Sequence, residues 1–142
     1  MVLWEAAPMT RFVVDAPVAV RLATDGLAIP PGHALLAPAL LRSQALALVY
    51  GSVRRGDVDE RTARTILDGI RSLRIRLLGD RVLQSVAWEV AHTLGWPDTY
   101  RAEYIALTRL QADALVTFDE ELSKAASTMV TTAPLTQLLQ TP

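Results

Sequence analysis

The 142-residue chain predicts an α/β fold in three layers, with a mostly parallel central sheet covered by helices. Three observations carry that expectation. Phe12-Val-Val14 and Ala114-Leu-Val116 are apolar, rich in β-branched residues, and too short for helices, so they read as buried strands. Elsewhere apolar residues recur at helical spacing, as in Ala63, Ile66, Leu67, Ile70 and Leu73. The two signals alternate along the chain, as in parallel strands joined by crossover helices.

Taken in order, Arg11 to Val14 is the first strand, closed by Asp15. Pro17 suits a first helical turn, where a missing N–H costs little, so residues 17–23 are expected to be helical. Gly26, Pro30, Pro31 and Gly32 mark a loop, and Ala34 to Ala37 reads as a short strand or the approach to a helix. Pro38 is expected to open a helix running to about Arg54, and Gly56 breaks it. Asp59 is a good N-cap for the helix that follows. Leu73-Arg-Ile-Arg-Leu77 then switches to the alternation of a strand. Asp80 caps a helix bearing Val82, Leu83, Val86, Val90 and Leu94, which Gly95 ends. Asp98 is expected to cap a further helix through Ile105 and Leu110. After the strand at Ala114 come a helix from Glu120 to Ala126, a weak strand near Thr128 to Thr131, and a short helix after Pro134.

Length suits one domain, read as residues 10–142, preceded by a loose extension over residues 1–9. Met9, directly before the first strand, would make a natural start, which leaves Met1 to Pro8 an extension or a start-site artefact. Hydrophobic residues at 51% and charged ones at 20% exclude a disordered chain. A net charge of −1 exerts no global pull on nucleic acid or anionic membrane, so such binding must come from a local patch. With no cysteine the chain has no disulfides or thiolate metal sites, in keeping with a reducing, cytoplasmic setting. Ala34 to Tyr50 is interrupted by Arg42, Ser43 and Gln44 and falls short of the roughly 20 apolar residues of a membrane span. The first residues lack the basic and apolar regions of a secretory signal.

Function is suggested first by the two strand ends. Two parallel strands, each closed by an aspartate, would bring Asp15 and Asp119 to the carboxyl edge of the sheet, where open α/β sheets bind ligands. His33 and His92 stand apart, and no glycine-rich phosphate loop exists, so a histidine site, a nucleophilic triad and a nucleotide cradle find no support. The arginines between Arg54 and Arg81 alternate with Asp57, Asp59, Glu60, Asp68 and Asp80, and read as a mixed solvated face. Trp88 and Trp96 read as core or interface residues and not as base-stacking platforms.

Four segments, in order and spacing, resemble the PIN domain as found in VapC-type toxins of bacterial toxin–antitoxin pairs. Ala37-Pro-Ala-Leu-Leu-Arg-Ser-Gln44 is similar to that family's second-helix segment, and Arg54-Arg-Gly-Asp-Val-Asp59 to the turn after it. Thr99-Tyr-Arg-Ala-Glu-Tyr-Ile-Ala-Leu107 resembles its Tyr-Asp-Ala helix, and Leu115-Val-Thr-Phe-Asp119 its Thr-x-Asp strand end. The likeness implies a PIN-like three-layer fold and a Mg²⁺- or Mn²⁺-dependent endoribonuclease. It also implies a homodimer neutralised by a small VapB-like antitoxin. The metal would sit in a cluster of commonly about four acids, activating water and neutralising a scissile phosphate.

Asp15 and Asp119 match the first and last of those acids, and Thr117 the nearby hydroxyl. The second acid falls on Gln44, which keeps a carbonyl oxygen without the charge. The third falls on Arg101, a permanent cation. Arg101 is expected to pair with Asp15 or Asp119, or to grip an RNA phosphate. Glu103, about 200° around the helix from Arg101, is expected to face away. Two readings result: an RNA-cleaving toxin with metal held by Asp15 and Asp119, assisted by Gln44, or a PIN scaffold without cleavage that binds an antitoxin or RNA. An unrelated small α/β protein is the third.

Overall fold

The computed structural model describes residues 9–142. The expected extension over residues 1–9 lies outside the described residues, save for Met9. Among the described residues the elements run β1 (Thr10–Val14), α1 (Ala16–Thr24), β2 (His33–Pro38), α2 (Leu41–Arg54), α3 (Glu60–Ser72), β3 (Arg76–Leu78), α4 (Arg81–Leu94), α5 (Tyr100–Gln111), β4 (Ala114–Val116), α6 (Glu120–Ala126) and α7 (Leu135–Leu139). The strands form one parallel sheet in the order β3-β2-β1-β4. The predicted α/β class, with a parallel sheet between helices, is the observed one.

The core follows from the apolar runs. Phe12, Val13 and Val14 on β1 are fully buried, as is Leu115 on β4, with Leu35 and Leu36 of β2 nearly so. Each such side chain contributes about 1.5–3 kcal/mol when withdrawn from water. Val18, Ala19 and Leu22 of α1 and Tyr104, Ile105 and Leu107 of α5 join the same cluster. A smaller cluster of Val49, Ala63 and Ile66 lies where α2 meets α3.

Several boundaries differ from the sequence expectation, each for a local reason. Pro38 ends β2 and does not open α2: it pairs with Leu78, and Ala39 N–H extends the ladder to the Leu78 carbonyl at 3.1 Å. α3 runs on through Ser72, and Arg74 takes a left-handed backbone with φ 55°, so β3 starts only at Arg76. The alternation from Leu73 still describes burial, since Leu73, Ile75 and Leu77 all pack on the core. Thr99, not Asp98, occupies the cap position before α5, without a side-chain capping bond, although the Asp98 carboxylate accepts from Tyr100 N at 3.3 Å. The weak strand near Thr128 reduces to a single bridge of Thr132 with Leu115. Asp59 and Asp80 cap α3 and α4 as expected, accepting from Thr62 N at 2.7 Å and Leu83 N at 2.8 Å. Gly95 ends α4 at φ 67° in the left-handed region that glycine enters without steric cost.

Exposed pairs Arg64–Glu60, Arg71–Asp68 and Arg55–Asp57 make the arginine-rich region the mixed, solvated face its sequence describes. Among the described residues no helix is long and apolar enough to cross a membrane.

Candidate functional site

Parallel pairing sets β1 and β4 side by side, with Val14 opposite Val116, so both chain segments leave the sheet at the same edge. Asp15 follows β1 and caps α1, accepting from Val18 N at 3.2 Å. Asp119 lies just beyond β4 and caps α6, accepting from Leu122 N at 3.0 Å. Capping and convergence are therefore not alternatives: both aspartates do both.

Thr117 joins them. Its hydroxyl donates to Asp15 Oδ2 and accepts from Asp119 N–H at 3.0 Å. Asp15 is 5% exposed. Burial raises its carboxyl above the ordinary carboxylate range and the charge of Asp119 adds to this, while the hydrogen bonds from Thr117 and Val18 oppose it.

Gln44, on the first turns of α2, meets Tyr104 of α5, whose phenol donates to Gln44 Oε1 at 2.5 Å. Tyr104 is 2% exposed. Desolvation pushes its hydroxyl far above the usual phenol range, and the nearby charges of Asp15 and Glu103 add to this. The Gln44 oxygen, expected to assist a metal, is thus engaged by a phenol.

Arg101 turns to α6 and not to Asp15. Its guanidinium lies 3.3 Å from Glu121 Oε2 and 4.0 Å from Asp119 Oδ2, and packs over the Trp96 ring at 4.6 Å from its centre. The expected pairing with an aspartate is met only at this distance, with Glu121 the nearer partner. Glu103 is half-buried, and burial raises its carboxyl. Trp96 supports a cation, while Trp88 is 71% exposed and so is no core residue. His33 stands away from this edge, bonded to the Leu138 carbonyl at 2.7 Å and edge-on to Phe12.

Tyr104 and Glu121 are members of this neighbourhood that sequence reasoning passed over. Both had a signal. Tyr104 follows Arg101 by three residues, on the same helical face, and Glu121 stands in the acid-favouring first turn after Asp119.

A β3-β2-β1-β4 parallel sheet, with aspartates closing its two neighbouring strands β1 and β4, gives this chain a PIN-type fold of the VapC kind. PAE2754 from Pyrobaculum aerophilum shares it, 25% identical with a TM-score of 0.72 over 92% of this chain and 93% of that one. VapBC-1 from nontypeable Haemophilus influenzae superposes with a TM-score of 0.58 over 89% of this chain and 99% of that one; at 15% identity this likeness speaks to fold alone. No family model and no curated protein matches the chain.

Proposed function

We propose that the chain is a VapC-like toxin component of a toxin–antitoxin pair, a metal-dependent endoribonuclease acting in the cytoplasm. The observation that carries this reading is the Asp15–Thr117–Asp119 chain of hydrogen bonds at the carboxyl edge of two adjacent parallel strands. The VapC-like fold supports a small VapB-like antitoxin as partner, and with it the homodimer that the motif resemblance implies.

The donor set fits one arrangement of Mg²⁺ or Mn²⁺ better than another. Among the described residues no three His, Asp or Glu side chains form a metal-sized group, which does not fit a closed protein cage. Mg²⁺ commonly keeps several waters and is held by one or two carboxylates plus substrate phosphate, and Asp15 with Asp119 fits that mode. Bound there, the ion would supply an activated water and neutralise phosphate charge. Thr117 holds the Asp15 carboxylate in one orientation, and the α1 N-terminus fixes its other oxygen. Arg101 presents a guanidinium, steadied on Trp96, to a phosphate entering beside Asp119.

Arg101 and the engaged Gln44 oxygen favour the second reading, a PIN scaffold that binds antitoxin or RNA without cutting. One assay separates them. Purified protein is given structured RNA and titrated with Mg²⁺ or Mn²⁺; the nuclease reading expects metal-dependent cleavage that Asp15→Asn abolishes. Cleavage that needs no metal and survives Asp15→Asn is contamination and leaves the binding module.

A further inference from the structure

Beside the Asp15–Asp119 edge stands a second polar pairing, built on Tyr104. A primary amide offers one acceptor oxygen and two donor hydrogens. The Gln44 oxygen is turned to the Tyr104 hydroxyl at 2.5 Å, and its Nε2 makes no hydrogen bond among the described residues. The reverse orientation would set Nε2 against the phenol and leave the buried O–H of Tyr104 without an acceptor, since Gln44 is the acceptor it uses. Leaving a buried donor unmet is costly, so the observed orientation is the favoured one.

Arg101 stands on the same helix one turn before Tyr104. Its bonds to Glu121, at 3.3 and 3.4 Å, reach a carboxylate that is 72% exposed, an exchangeable pairing. Trp96 holds the guanidinium at 4.6 Å and limits where its fork can point.

We propose that Tyr104 sets the polarity of Gln44, so that the amide hydrogens of Gln44 and the guanidinium of Arg101 together receive a phosphate group, and Gln44 orients an anion instead of ligating a metal. Tyr104 is a positioning residue that acts through Gln44. Two positions that would otherwise add negative charge instead supply donors, and the site sets an anion-holding pair beside the cation-holding carboxylates, with the Arg101 guanidinium 4.0 Å from Asp119 Oδ2. The inference deepens the nuclease reading and takes its substrate from it, but the phosphate group can be tested without RNA.

In EDTA, inorganic phosphate is titrated into ¹⁵N-labelled protein. The Gln44 side-chain amide signals, identified by their loss in Gln44→Glu, are expected to move together with the Arg101 Nε signal. Tyr104→Phe keeps the ring and removes the hydroxyl. It is expected to weaken phosphate binding about fivefold and to strengthen Mn²⁺ binding, followed by electron paramagnetic resonance, by about the same factor. Structural damage would lower both affinities, so opposed shifts mark positioning. Stationary Gln44 signals, or two affinities that move together or not at all, overturn the proposal. RNA cleavage is measured separately: a wild-type protein that binds phosphate this way but never cuts RNA ends the nuclease reading and leaves this one standing.

Discussion

The two strand ends share one local grammar and live in different surroundings. Each is a short apolar strand, an aspartate, and a helix whose third residue donates its N–H to that aspartate. β1 runs between β2 and β4, and its aspartate is 5% exposed, with its carboxyl raised by burial. β4 closes the sheet with a single bridge beyond it, and the Asp119 side chain is 40% exposed and shares Arg101 with Glu121. Position in the sheet thus turns one sequence pattern into a buried, destabilised carboxylate and an open, cation-facing one. Among the described residues, Thr117 is the only one that bonds to both.

The largest test of that difference is activity. Asp15→Asn is expected to abolish Mg²⁺-dependent RNA cleavage, a loss of roughly 100-fold or more, and Asp119→Asn to lower it by roughly tenfold, measured as initial rates on a fluorogenic RNA. Equal losses would make the two ends equivalent and erase the distinction. Thr117→Val removes the hydroxyl that links them and strands Asp15 Oδ2 in a buried setting. A loss of about 2 kcal/mol is expected in urea denaturation, and the pH profile of cleavage should move upward because a lowering influence on Asp15 is gone.

Restoring charge should sharpen the cation-holding side. Arg101→Asp combined with Gln44→Glu is expected to tighten Mn²⁺ binding about tenfold by calorimetry, since hard ions take charged oxygens. No gain would mean that these two positions do not face the metal.

The smallest effect concerns stability. Burial disfavours the ionised form of Asp15 in the fold, so its folded pKa lies above the unfolded one. The resulting penalty is complete above the folded pKa and vanishes as pH falls below the ordinary carboxylate value of about 4. Asp15→Asn keeps a capping acceptor and removes the charge. Its Nδ2 cannot accept from Thr117, which costs stability at every pH, so the signature is the pH dependence alone: relative to the wild type the variant is expected to gain about 1 kcal/mol or less between about pH 4 and neutral pH. A gain that grows toward low pH would reverse the assigned sign.

Much of the fold was legible because it rests on local chemistry. Asp59, Asp80 and Gly95 cap and stop helices through hydrogen bonds and backbone freedom that span a few residues, and all three do so in the structure. The boundary at Pro38 departs from the local pattern because a distant contact, ladder pairing with Leu78, decides it, while at Leu73 the left-handed backbone of Arg74, which a non-glycine residue rarely adopts, delays the strand.

The sequence by itself determined the α/β class and the two aspartate-closed strands, since composition and spacing are written along the chain, and its motif resemblance singled out Gln44 and Arg101 as candidate site positions. Only the tertiary structure decided what those side chains do. It turned Arg101 toward Glu121, gave the Gln44 oxygen to Tyr104, and buried one aspartate while leaving the other open. Orientation and burial depend on neighbours 20, 60 and 102 residues away along the chain, through Arg101–Glu121, Gln44–Tyr104 and Asp15–Thr117, and no local pattern encodes such partners.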